Sequence, residues 1–240
     1  MDSAEHLWSD WILEELKPSQ PIRVQIGKRT DKWVENPEVL VNCVCQQCNN
    51  GWMSNLENDN KPHMRAMLHD EPIVLQPSQQ KLLARWAVLK SMIIEACNRQ
   101  RILFYGKDER IGLKPPSPFL PVATMVWIRR YSREGFHAGG TDIWRGIETF
   151  PRAMHGNVST IVVGHLVVQV LTAHIIPKFG GFPIRPPKCK PGSWAESLVN
   201  IWPIFGPVRW PPPISFTTSG ADRISVLIDR WKIGNDLARS

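Results

Sequence analysis

Residues 45–57 read CQQCNNGWMSNLE: a cysteine pair, two amides, a glycine and the start of a helical pattern. Cys45 and Cys48, separated by two residues, set both sulfurs on one knuckle, where each can reach a tetrahedral Zn²⁺ at about 2.3 Å. One pair supplies half a site, and two reduced structural thiols fit the same residues equally well. Just upstream, Val39 to Val44 is extended and leads directly into Cys45. Just downstream, Trp52 to Leu68 is helical in character, with Leu56, Met64, Met67 and Leu68 as core contacts. Asn49 suits either a metal-ligand role or a helix N-cap, a position that Asn favours without any metal.

Toward the N-terminus, Trp8, Trp11, Ile12 and Leu16 fall on one helical face behind Ser9 as cap, and Pro18 and Pro21 end that helix. Residues 22–26 alternate as a half-buried strand, and Gly27 with Thr30-Asp31 supplies turn chemistry. Toward the C-terminus, Leu82, Leu83, Trp86, Ala87, Ile93, Ile94 and Cys97 recur at three- and four-residue spacing behind a Ser78 cap, which predicts a long helix with a core-packing stripe. Residues 114–121 are proline-rich and mark a stiff break. Beyond them Val122–Tyr131, Thr160–Ile176 and Ile224–Trp231 are rich in β-branched and aromatic residues, separated by proline-rich stretches at 177–191 and 203–213. The expected class is α+β, with residues 1–70 as one module. Residues 71–240 supply the long helix and a mainly antiparallel β region packed against it, whose role is unassigned.

With 42% hydrophobic and 21% charged residues the composition is that of a chain with a real core and excludes a disordered one. Twenty-one prolines argue against an all-helical protein. A formal charge of +7 favours an anionic partner, of which nucleic acid is the commonest, although the cations are spread out rather than gathered in a tail. Five cysteines, three of them within six residues, exclude a paired disulfide framework and point to reduced thiols in the cytoplasm. Asp2, Glu5 and His6 stand where a basic leader would begin, and the apolar run 161–176 holds His165, Gln169 and His174, so neither a signal peptide nor a membrane span is expected.

Glu5-His6 with Trp11, followed by the 45–57 segment, resembles the HNH endonuclease family, in particular bacterial and phage proteins that read Glu-His early and C-x-x-C-N-N-G-W-M-S-x-L-E later. The motif covers about the first 60 residues. The resemblance implies a ββα-metal module and a metal-dependent DNA endonuclease, whole or as a truncated or degenerate relative. It assigns His6 as the base that activates water, Glu5 and Asn49 (or Asn50) as ligands of a divalent cation such as Mg²⁺ or Mn²⁺, and Cys45 with Cys48 to a structural zinc knuckle. Asn42 is the candidate for a buttressing middle Asn. Phosphodiester hydrolysis needs such a base, and a cation to offset charge on the phosphate. Because neighbouring residues on a strand point to opposite sides, Glu5 and His6 share a site only if the backbone bends there.

Family members carry a further C-x2-C shortly before the Glu-His pair, and this chain begins at Met1 without one. Either the start is truncated or the zinc has been lost; in the second case Trp8, Trp11 and Trp52 must hold the knuckle by packing, and Cys43 is the only nearby third sulfur. His63 and His69 are expected to be solvated, His165 and His174 to be satisfied strand residues, and Glu57 to form a salt bridge or cap. Lys28-Arg29, Arg129-Arg130 and Arg133 suit either phosphate contacts or solvated edge charges. Trp210 among prolines reads as a hydrophobic plug in a loop. The alternatives to a nuclease are a non-catalytic nucleic-acid-binding protein and a scaffold acting through its C-terminal region.

Overall fold

The computed structural model describes residues 2–17, 22–26, 30–34, 40–97, 103–147, 152–176, 198–213 and 215–216. The predicted strand at Ile224–Trp231, the 177–191 stretch, Cys189 and Lys28-Arg29 lie outside them, as does the side chain of Arg133.

Strand β1 (Asp2–His6) pairs antiparallel with β4 (Leu40–Cys45), so that Glu5 faces Val41 and His6 faces Leu40, with an irregularity in register between Ser3 and Ala4. Between them lie helix α1 (Asp10–Leu16) and a hairpin of β2 (Ile22–Ile26) and β3 (Thr30–Val34). Helix α1 starts after Ser9, whose backbone oxygen accepts from Ile12 at 2.9 Å and Leu13 at 3.3 Å. It ends on Lys17 in the left-handed region, with φ of 37°.

After β4 the chain turns through α2 (Gln46–Cys48) and a π-helical turn, Asn49–Met53, into α3 (Ser54–Leu68). Gly51 departs from helical angles (φ −101°, ψ −109°), and this kink separates the two amides from the helix that follows. Cys45, not Asn49, is the cap of this first turn, since its Sγ accepts from the Cys48 N–H at 3.4 Å.

Short strand β5 (Ile73–Leu75) precedes α4 (Pro77–Cys97), the longest helix. The helix starts one residue before the predicted Ser78. Pro77 takes the first helical position, where a missing N–H is harmless, and the Gln79 side chain accepts from the Gln76 N–H at 2.8 Å. From α4 the chain passes through α5 (Lys107–Gly112) to the long antiparallel pair β6 (Thr124–Ile147) and β7 (Arg152–Ile176). On the other edge of β6 lie β8 (Val199–Trp202), antiparallel, and β10 (Ser215–Phe216), parallel. Strand β9 (Val208–Trp210) pairs with β5, so Trp210, 2% exposed, is a core strand residue rather than a loop plug.

The architecture is α+β with antiparallel pairings predominating, and α4 is buried from Trp86 to Glu95. One continuous core joins Leu7, Trp8 and Ile12 to Leu83 and Trp86 of α4 and to Val126, Ile161 and Val168 of the sheet, so the described residues on both sides of residue 70 share it. Trp8 meets Phe136 of β6 edge to face at 5.9 Å. A full burial of Trp86 alone is worth about 3–5 kcal/mol against alanine.

Candidate metal-binding and hydrolytic site

Strand β1 ends at His6, and the chain leaves the pleat there before entering α1. Glu5 and His6 both line a cavity of about 580 Å³. Its opposite wall is the π-helical turn, which contributes Asn49 and Asn50, and the first turns of α3, which contribute Ser54 and Glu57. Asp10 and Trp11 close the α1 side. The four residues assigned from sequence to base and ligand roles thus share one polar cavity. Asn42 does not: it pairs with Ala4 in the β1–β4 ladder and is exposed.

His6 Nδ1 lies 3.3 Å from Oδ1 of Asp10, four residues on at the start of α1. The pair sits at the cavity rim, with Asp10 largely exposed. Behind the cavity is a buried ion network. Lys90, from the middle of α4, is 1% exposed; its Nζ is 3.0 Å from Glu5 Oε1, 3.0 Å from Glu57 Oε1 and 2.9 Å from the His6 carbonyl oxygen. Glu57 also accepts from Trp86 Nε1 at 2.9 Å and Trp11 Nε1 at 3.1 Å. Burial pushes the Glu57 carboxyl upward, but Lys90, Ser9 and Trp11 together hold it below its ordinary value. For Lys90 burial acts to lower and the two carboxylates act to raise, and the raising wins. The expected salt bridge of Glu57 is therefore present and deeply set.

Sequence reading missed Lys90, because the stripe of α4 was read as apolar packing alone. A signal existed: Lys90 stands four residues after Trp86 and three before Ile93, a charge inside a core stripe.

A carboxylate and amide oxygens are donors of the kind that a hard cation such as Mg²⁺ or Mn²⁺ takes, and Glu5, Asn49 and Asn50 all line this cavity. Among the described residues no group of three or more His, Cys, Asp or Glu forms a metal cage. Cys45 and Cys48 sit together on the knuckle, and Cys43 faces with them into a second, largely apolar cavity of about 440 Å³. Burial pushes the Cys48 thiol up, but Cys45, Lys114 and Trp52 bring it below its ordinary value, whereas burial holds Cys43 above it. Trp8 and Trp52 pack into or against the core and Trp52 carries Arg85 over its ring at 5.2 Å, so aromatic packing supports the knuckle.

Other candidates are placed differently from expectation. His63 is 2% exposed rather than solvated, bonds Asn60 Oδ1 at 2.9 Å, and is pushed down by burial to about 4. His69 meets Glu15 at 3.1 Å near the surface. Arg129 is 1% exposed, and Arg130 forms a bidentate pair with Asp70, its Nε at 2.8 and 2.9 Å from the two carboxylate oxygens, so neither is a solvated edge charge. His165 Nδ1 bonds the Tyr131 carbonyl and His174 Nε2 bonds Glu109, as satisfied strand residues do.

No helix among the described residues is long and apolar enough to cross a membrane. Comparison of the chain with protein-family models, with curated proteins and with solved structures gives no match.

Proposed function

We propose that this protein is a metal-dependent endonuclease of the HNH type, hydrolysing phosphodiester bonds in DNA. The observation that carries the reading is the meeting of Glu5-His6, from the end of one strand, with Asn49-Asn50, from a knuckle far along the chain, across a single polar cavity. In this reading the His6 imidazole, whose Nδ1 lies 3.3 Å from Asp10 Oδ1, is the base that accepts a proton from water. Glu5 and the amide oxygens of Asn49 and Asn50 are the groups that would hold Mg²⁺ or Mn²⁺. When bound, such a cation offsets charge developing on the phosphate and on the leaving oxygen. The Cys45–Cys48 knuckle fixes the turn from which the amides project. The excess of basic residues supports a polyanionic substrate, and a cytoplasmic setting agrees with reduced thiols.

Nicking of supercoiled plasmid by the purified chain tests this. Activity with Mg²⁺ or Mn²⁺ that is abolished by EDTA and falls about 10²- to 10⁴-fold in His6→Ala is the expected result. Binding with a steep salt dependence but no cleavage would instead assign a non-catalytic nucleic-acid-binding role. Neither activity would leave the interaction-protein reading.

A further inference from the structure

The geometry assigns Lys90 as a positioning residue of the cation site, an assignment that rests on the reading just given. Its ammonium is enclosed and offers three N–H donors, and three acceptors surround it: a Glu5 oxygen, a Glu57 oxygen and the backbone oxygen of His6. Two of the three belong to the adjacent residues that bear ligand and base. The third belongs to α3, the helix that follows Asn49 and Asn50 after the Gly51 kink. One buried cation therefore ties both walls of the cavity together and comes from α4, outside the motif.

Two consequences follow. Holding the His6 carbonyl anchors the end of β1, where Glu5 and His6 both line the cavity. Holding Glu5 Oε1 leaves Oε2 as the carboxylate oxygen that would be open to a cation. Groups that orient ligands from behind change metal affinity or activity by about 10- to 100-fold when removed.

The test uses the full chain and Mn²⁺ alone as ligand, followed by electron paramagnetic resonance. Lys90→Met is expected to weaken Mn²⁺ binding by about 10- to 100-fold. Ser91→Ala serves as a structural control. It lies next along the same helix and is equally buried, but it bonds Tyr105 and Ser159 on the sheet side, away from the cavity; it is expected to keep the wild-type affinity. A second measurement needs no variant: the Lys90 ammonium resonance of the wild-type protein, shielded from exchange by burial, is expected to shift on titration with Mg²⁺. Should Lys90→Met fail to fold, that resonance decides. Wild-type Mn²⁺ affinity in Lys90→Met, or an ammonium signal unmoved at saturating Mg²⁺, overturns the role of Lys90 and leaves the site standing. A wild-type chain that binds no Mn²⁺ overturns the site itself, and this assignment with it.

Discussion

Replacing Glu57 by alanine probes the hub on which the candidate site is built. One carboxylate oxygen accepts from the Trp86 indole and pairs with Lys90; the other accepts from the Trp11 indole. Truncation leaves two indole N–H groups without this acceptor and takes one of two counter-charges from a buried ammonium. Breaking a buried ion pair costs about 3–5 kcal/mol, and an unsatisfied buried donor about 1–3 kcal/mol. These contributions overlap, and Glu5 stays on Lys90, so the lower end applies: about 3 kcal/mol. For a chain of this size that is a fall in Tm of roughly 6–12 °C. Urea denaturation followed by far-ultraviolet circular dichroism measures it. Glu57→Gln keeps an acceptor for the indoles and is expected to lose less. The pH dependence has a definite sign. The folded-state carboxyl of Glu57 lies below its ordinary 4.5, so its contribution is fully present above that value and is lost as pH falls through the folded-state value. A loss in Glu57→Ala smaller than about 0.5 kcal/mol, within the range of surface substitutions, would refute the claim that these contacts exist in solution.

Other predictions test the frame around the site. His63 is held neutral by burial with its pKa near 4 against 6.5 unfolded, so stability is full above about pH 6.5 and drains away as pH falls toward 4. His63→Gln should flatten the stability profile in that window; an unchanged slope there would show that His63 is not buried neutral. Gly164 has φ of +55°, and a Cβ there would stand 2.6 Å from the Leu68 carbonyl oxygen at the end of α3. Gly164→Ala combines left-handed strain with overpacking against backbone, and about 2–4 kcal/mol of destabilisation is expected by chemical denaturation. A loss under about 0.5 kcal/mol would mean that α3 does not dock on β7 as described.

The periodic elements were legible because their signals are local. Helix α4 declares itself by spacing, and Val122–Tyr131 and Thr160–Ile176 declare parts of β6 and β7 by their β-branched residues, so the α+β class followed directly; the continuation of β6 to Ile147 through Gly135, Gly139 and Gly140, and the start of β7 at Arg152, carried no such signal. The N-terminal motif also named Glu5, His6, Asn49 and Asn50 before any coordinates placed them in one cavity. What stayed hidden was long-range. Lys90 serves residues more than eighty positions away, and no periodicity announces which buried charge meets which. Arg130 looks like a surface residue until Asp70, sixty positions away, pairs with it, whereas His63 is buried beside its own helix neighbour Asn60 on the face of α3 that packs into the core. Pro77-Ser78 opens α4 as the sequence predicts, but Ser78 lies inside the helix rather than capping it, because Pro77 takes the first helical position. Trp210 was read as loop because its proline neighbours conceal a three-residue strand whose partner, β5, is far away in sequence.

The central claim is that the carboxylate of Glu5 and the amides of Asn49 and Asn50 converge on one divalent cation beside His6. Crystals grown with Mn²⁺ and measured at its absorption edge address it directly. An anomalous peak in the cavity within about 2.0–2.6 Å of a Glu5 oxygen and an amide oxygen of the knuckle is the expected result. Manganese bound only elsewhere, with those side chains turned apart, would contradict it.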